Sequence, residues 1–106
     1  MITIIYEPIT SGSPAKIFPR IKRMVIDPKT FYAIPSFNSR VFVLAHELAH
    51  LTCTDETEAD LAAFDAYYRR GYPVRDAIFA LTSLLQPSNA HKRALGLIDG
   101  LYAKCN

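Results

Sequence analysis

The stretch "VFVLAHELAHLTCTDETEADLAAF", Val41 to Phe64, decides how this chain is read. His46 and His50 lie four positions apart in it, with Glu47 beside the first. Val41, Leu44, Ala45, Leu48 and Leu51 recur around them at helical spacing. A helix is therefore expected, capped by Asn38 or Ser39 and running to about Thr52. On a helix, residues i and i+4 project from one face. Two imidazoles one turn apart can share one zinc ion at ~2.0–2.1 Å each. Glu47, offset by one residue, faces a water on that ion rather than the ion itself. This is the HExxH arrangement, two ligands plus a general base. The plainer reading is a surface helix that carries two histidines.

Four acids follow, Asp55, Glu56, Glu58 and Asp60. Asp55 and Glu58 have the spacing of a helix cap and its reciprocal acid, so a second helix starts there. It runs to Arg70 and stops at Gly71. Two antiparallel helices joined by the short connector "LTCTD" pack side by side. His50 then lies near residue 56, and His46, one turn earlier, near residue 60. Glu56 can reach the metal, and Asp60 is placed to accept the free N–H of His46, as a carboxylate behind a ligating histidine does. Asp55 and Glu58 are caps; favourable charge at a helix N-terminus explains them without a metal. Two histidines and one glutamate leave a fourth position for water, the pattern of a catalytic zinc site rather than a structural one. Cys53, in the connector, reads as a small packing residue.

Outward from this stretch, the 106 residues allow one domain with a single modest core. A net charge of +2 is too small to point to nucleic acid. The basic run "AKIFPRIKR", Ala15 to Arg23, reads as a solvated face. Two cysteines make no disulfide framework, so a reduced, cytoplasmic compartment is the default. No apolar run approaches the ~20 residues of a membrane span. "ITIIY", Ile2 to Tyr6, reads as a strand, and "TSGSP", Thr10 to Pro14, as a loop. A short helical turn is expected around Pro14 to Phe18. "DPKT" suits a type I turn, so Ile21–Asp27 and Thr30–Ser36 are expected to form a β-hairpin. Pro73 opens a third helix that ends before Pro87, and Ser88 or Asn89 caps a fourth to about Lys104. The expected class is α+β: a small N-terminal antiparallel sheet of about three strands, then about four helices.

The residues already quoted resemble the gluzincin metallopeptidases. The likeness is to the catalytic domains of the HtpX-type heat-shock proteases and the CAAX prenyl proteases, which pair HExxH with a later ExxAD. Here the matching stretches are "HELAH", His46 to His50, and "ETEAD", Glu56 to Asp60. The resemblance implies Glu56 as third zinc ligand and Asp60 as the acid behind it. "DLAAFDAYYRRGYPVRDAIFAL" looks like the helix, turn and helix of those families, and "FYAIPS" is loosely similar to their "AFALPG" strand. The likeness covers roughly half the chain. Their transmembrane helices are absent, which makes the chain similar to the small soluble minigluzincins. It departs from them in spacing: only five residues separate His50 from Glu56. That is the metzincin spacing, HExxHxxGxxH, with Cys53 in place of the glycine and Glu56 in place of the histidine. The families' "HP…ER" segment is faintly echoed by "SNAHKRAL". That echo implies His91 or Arg93 as a transition-state stabiliser; otherwise they are solvated residues in a helix's first turn. "RVFVLAHELAH" and "EADLAA" are also similar to the ImmA/IrrE-type regulatory metallopeptidases.

The expectation is therefore a zinc endopeptidase with one Zn(2+) on His46, His50 and Glu56 and with Glu47 as general base. Its partner is a peptide or protein substrate, with no nucleic acid and no membrane span. The run Phe31, Tyr32, Ala33 and Ile34 is the expected rim strand for an extended substrate. Tyr67 and Tyr68 are alternative donors, more simply read as core or rim. Two other readings share the same metal: a regulatory protease that cleaves one partner, and a zinc-stabilised binding domain without catalysis. A latent enzyme, its cleft covered by "LYAKCN", is a variant of the first.

Overall fold

A three-stranded sheet precedes four helices among the described residues, so the class is α+β. The structure, a computed structural model, describes residues 1–85 and Gly96. The expected helix from Ser88 or Asn89 to Lys104, His91, Arg93 and the "LYAKCN" end lie outside the described residues. The strands are β1 (Thr3–Tyr6), β2 (Ala15–Phe18) and β3 (Arg23–Ile26). The helices are α1 (Pro28–Tyr32), α2 (Phe37–Ala49), α3 (Glu56–Arg69) and α4 (Val74–Ser83).

The sheet is mixed rather than antiparallel, in the order β1-β3-β2. β1 runs parallel to β3 with Ile4 opposite Met24, and β2 runs antiparallel to β3 with Ile17 opposite Met24. Residues 15–18 form a strand, not the expected helical turn. Their alternation buries Ala15 and Ile17 and exposes Lys16 and Phe18. The helical turn comes one step later, at Pro19–Ile21, where proline can open it. Lys22 then reverses the chain into β3 with a left-handed φ of 49°.

The expected second hairpin strand is not formed. β3 ends at Ile26, and Asp27 caps α1 instead. Its carboxylate accepts from the N–H groups of Lys29 (3.1 Å) and Thr30 (3.4 Å). The N–H of Phe31 donates to the carbonyl of Asp27 at 2.8 Å, which closes a full helical turn. An Asp-Pro pair opens a type I turn and a helix equally well, and only the next hydrogen bond separates them. Phe31 and Ile34 are buried at i and i+3, whereas Tyr32 and Ala33 face solvent. The run from Phe31 to Ile34 is therefore helix and helix end, not a rim strand.

Helix α2 is capped by Ser36, two residues before the expected Asn38, with the Ser36 hydroxyl accepting from the N–H of Ser39 at 3.2 Å. Its innermost face is Ser39, Phe42, Val43 and His46. Val41, Leu44 and Ala45 pack partly against the core, but Leu48 is 43 % and Leu51 37 % exposed. Both faces of α2 are apolar, so spacing alone could not say which turns inward. The inward face is the one that carries His46. Phe42 meets Tyr67 of α3 edge to face, with centroids 5.4 Å apart. The Tyr67 hydroxyl donates to the Pro73 carbonyl at 2.7 Å and fixes the turn into α4. Burial pushes that phenol up to about 12, with the charge of Asp76 adding to the effect.

Asp27 also accepts the N–H of Ile9 at 3.0 Å, and its own N–H donates to the Pro14 carbonyl at 3.0 Å. It therefore holds both ends of the loop between β1 and β2. The Ile9 hydrogen bond holds its carboxyl below the ordinary range, with smaller help from the N–H groups of Thr30 and Lys29; partial burial opposes them. A depressed folded pKa stabilises the fold above the unfolded value, and that stability is lost as pH falls through the folded pKa. Asp27→Ala should therefore melt below the parent chain at neutral pH. The gap between the two melting temperatures should begin to narrow as pH falls below about 4. Melting curves of both chains from pH 7 downward check this, and a gap that stayed constant would contradict it.

Candidate metal centre

Helix α2 ends where the site needs it to end. The N–H of His50 already bonds to the Glu47 carbonyl at 3.1 Å, in a tightened last turn. The N–H groups of Thr52 and Cys53 both return to the Ala49 carbonyl, at 3.1 and 2.9 Å. Asp55 then caps α3 by accepting from the N–H of Glu58 at 3.0 Å. This short reversal sets Glu56, the first residue of α3, beside the last turn of α2.

Three side chains converge there. Glu56 lies 3.3 Å from Nε2 of His46 through Oε2, and 3.2 Å from Nε2 of His50 through Oε1. The two rings are nearly perpendicular, at 88° and 4.8 Å between centroids. His46, His50 and Glu56 could hold a metal ion, with one ligand atom from each within 4.8 Å of the others. Ligands at ~2.0–2.1 Å from one tetrahedral ion stand about 3.3 Å from each other, close to the distance from each histidine to its nearer Glu56 oxygen.

The opposite ring nitrogens decide the tautomers. Nδ1 of His46 meets Oδ1 of Asp60 at 2.7 Å, and both residues are buried. Nδ1 of His50 lies 3.0 Å from the Cys53 carbonyl. A carboxylate and a carbonyl only accept, so the tautomer that suits both contacts has its proton on Nδ1. In the neutral rings each Nε2 then directs a lone pair at the Glu56 carboxylate. Three acceptors facing one point call for a cation, either protons on the rings or a metal ion. The donor set could hold a metal ion, and a carboxylate or carbonyl behind each ring is the arrangement that orients a histidine toward one.

Glu47 lies in the same open cavity of about 510 Å³ as the three candidate ligands. Burial raises the pKa of its carboxyl; His46, His50 and the N–H of Ile17 pull the other way. Ser11 and Ser13 of the β1–β2 loop and Leu84 and Leu85 after α4 also line the cavity.

Other expected participants lie elsewhere. Tyr67 is committed to the Pro73 carbonyl, and Tyr68 stacks on Phe64 on an exposed flank, 5.7 Å between centroids. Phe31, Tyr32, Ala33 and Ile34 do not line the cavity, whereas Ala15, Lys16 and Ile17 of β2 do. The part Cys53 plays is its carbonyl, a backbone group that no residue pattern reveals. The alternation in "AKIF" was the available signal for β2.

Compared with known protein families, curated proteins and solved structures, the chain matches none.

Loss of the acid behind a ligating histidine typically costs 10–100-fold in metal affinity. Asp60→Asn should weaken zinc binding by about that factor, and Glu58→Gln, on the exposed face of α3, should leave it unchanged. Competition with a chromophoric chelator measures both.

Proposed function

We propose that the chain is a minimal zinc-dependent endopeptidase of gluzincin type, with one zinc ion on His46, His50 and Glu56. The observation that carries this reading is the placement of Glu47. Its carboxylate shares one cavity with the three candidate ligands, and the N–H of Ile17 in strand β2 faces it. A three-ligand set of two imidazoles and one carboxylate is the set of a catalytic zinc site. When bound, zinc lowers the pKa of a water to roughly 7 and polarises a carbonyl.

The chain's own residues do the rest. Glu47 takes a proton from the attacking water at its carboxylate and delivers it to the nitrogen of the leaving amine. Burial of Glu47 raises its proton affinity, which suits a base that must hold the proton between those two steps. Asp60 and the Cys53 carbonyl keep the rings of His46 and His50 turned toward the metal. Strand β2 replaces Phe31–Ile34 as the substrate rim. It is an edge strand among the described residues. The Pro14 carbonyl takes the N–H of Asp27, so alternate residues pair with β3. Ala15 then turns its N–H and C=O toward the cavity, and Ile17 its C=O while its N–H serves Glu47, so an extended peptide can add there as a further strand.

Among the described residues no helix is long and apolar enough to cross a membrane. We place the reaction in the cytoplasm, where the free Cys53 stays reduced.

Glu47→Gln should retain zinc and lose hydrolysis of an unfolded protein such as casein by roughly 10²–10⁴-fold. Full activity of that variant with zinc bound would rule the mechanism out. A parent chain that cleaves one partner and ignores casein would favour the regulatory reading. A chain that cleaves nothing and unfolds on chelation would favour a zinc-stabilised binding domain.

A further inference from the structure

Strand β1 lies at the other edge of the sheet, across β3 from β2 and the metal centre. Its N–H groups at Thr3 and Glu7 donate to the carbonyls of Lys22 (2.9 Å) and Ile26 (3.1 Å). Backbone groups alternate along a strand, so Thr3, Ile5 and Glu7 bond to β3. Ile4 and Tyr6 turn N–H and C=O to the outer edge. Their side chains are 51 % and 56 % exposed. The sequence of this edge, "TIIY", holds no lysine, proline or other charge that would discourage pairing.

We propose that β1 pairs antiparallel with β1 of a second copy, about a two-fold axis through Ile5. The two sheets then form one sheet of six strands. In this register Ile4 of each copy lies opposite Tyr6 of the other. Ile4 and Tyr6 supply the outward N–H and C=O groups, so each such pair exchanges two hydrogen bonds. Each also buries a β-branched side chain against an aromatic one, a favourable cross-strand pair.

Charge selects the second copy and the register. Glu7 follows β1 at one end. At the other end Thr3 is paired in the sheet with Arg23, beside Lys22 and Arg20. The two-fold sets Glu7 of each copy opposite Thr3 of the other, on the row that ends in Arg23. The acidic end of each strand thus meets the basic end of its mate, twice, as a self-complementary contact requires. Sliding the strands two residues one way moves Glu7 past that row. Sliding them the other way sets Ile4 against Pro8, which has no N–H to give.

Sedimentation velocity of the whole chain from about 1 to 100 µM tests this. The expected result is a concentration-dependent dimer that Ile4→Lys weakens at least ~10-fold. Glu7→Lys should weaken it too, and Glu7→Lys with Arg23→Glu should recover it. A cysteine test does not depend on those variants folding well. In a chain with Cys53→Ser and Cys105→Ser, Ile5→Cys should form a disulfide dimer under mild oxidation, and Thr3→Cys should not. The two copies of residue 5 face each other at a non-hydrogen-bonded pair, about 4.5 Å between Cα atoms, within disulfide reach. A monomer at every concentration, a dimer indifferent to Ile4→Lys, or equal cross-linking through both cysteines would overturn the proposal.

Discussion

The contact on which the rest depends is the 2.7 Å pair between Nδ1 of His46 and Oδ1 of Asp60. Both groups are taken out of water, and a buried carboxylate is tolerated only when it is paired. The pair therefore sets how α2 and α3 meet. Ala59 and Ala63, on the same inner face of α3 as Asp60, are small enough to let the two helices approach. Once that contact is made, three consequences follow. The His46 ring is turned with Nδ1 toward Asp60, a proton on Nδ1 suits that contact, and Nε2 is left facing Glu56. The tight turn through Cys53 does the same for His50 by different means, with a backbone carbonyl in place of a carboxylate.

This explains which parts of the fold were legible in the sequence. The hairpin of α2 and α3 was, because each of its features is local. Asp55 caps, Gly71 terminates, and the spacing of His46, His50, Glu56 and Asp60 follows from one helical period and one short connector. The N-terminal third was less so. "DPKT" supports two structures that differ by a single hydrogen bond, from the N–H of Phe31 to the Asp27 carbonyl. The parallel pairing of β1 with β3 joins residues about twenty apart, and nothing in either segment states the direction. The identity of the inner face of α2 was hidden for another reason. Leucines on one side and Phe42 with Val43 on the other make two apolar stripes, and only the packing of α3 and α4 chooses between them.

The candidate site divides along the same line. Side chains that act through their own spacing could be read, whereas groups supplied by the backbone could not. The Cys53 carbonyl behind His50 and the Ile17 N–H before Glu47 belong to the second kind. Reading the second kind requires knowing where strands run. Phe31 to Ile34, expected as a rim strand, is helix and helix end because Asp27 caps that segment, and the strand that lines the cavity is β2. The same cap ties Ile9 and Pro14, so one aspartate both opens α1 and holds the loop that carries Ser11 and Ser13 to the cavity.

A three-stranded sheet has two edges, and here they differ in what covers them. The edge at β2 faces α2, and the Ile17 N–H there is directed at Glu47. The edge at β1 presents Ile4 and Tyr6 to solvent, and among the described residues no helix lies over them. Sheets this narrow gain little stability alone, and adding strands to an edge is the direct remedy. A two-fold at β1 would use the uncovered edge and leave both β2 edges at the far ends of the joined sheet. The two cavities would then open away from the interface, each built wholly from one chain. On this geometry pairing acts on the stability of the sheet and not on the chemistry. Weakening the interface should lower the melting temperature while leaving the arrangement of His46, His50 and Glu56 where it was.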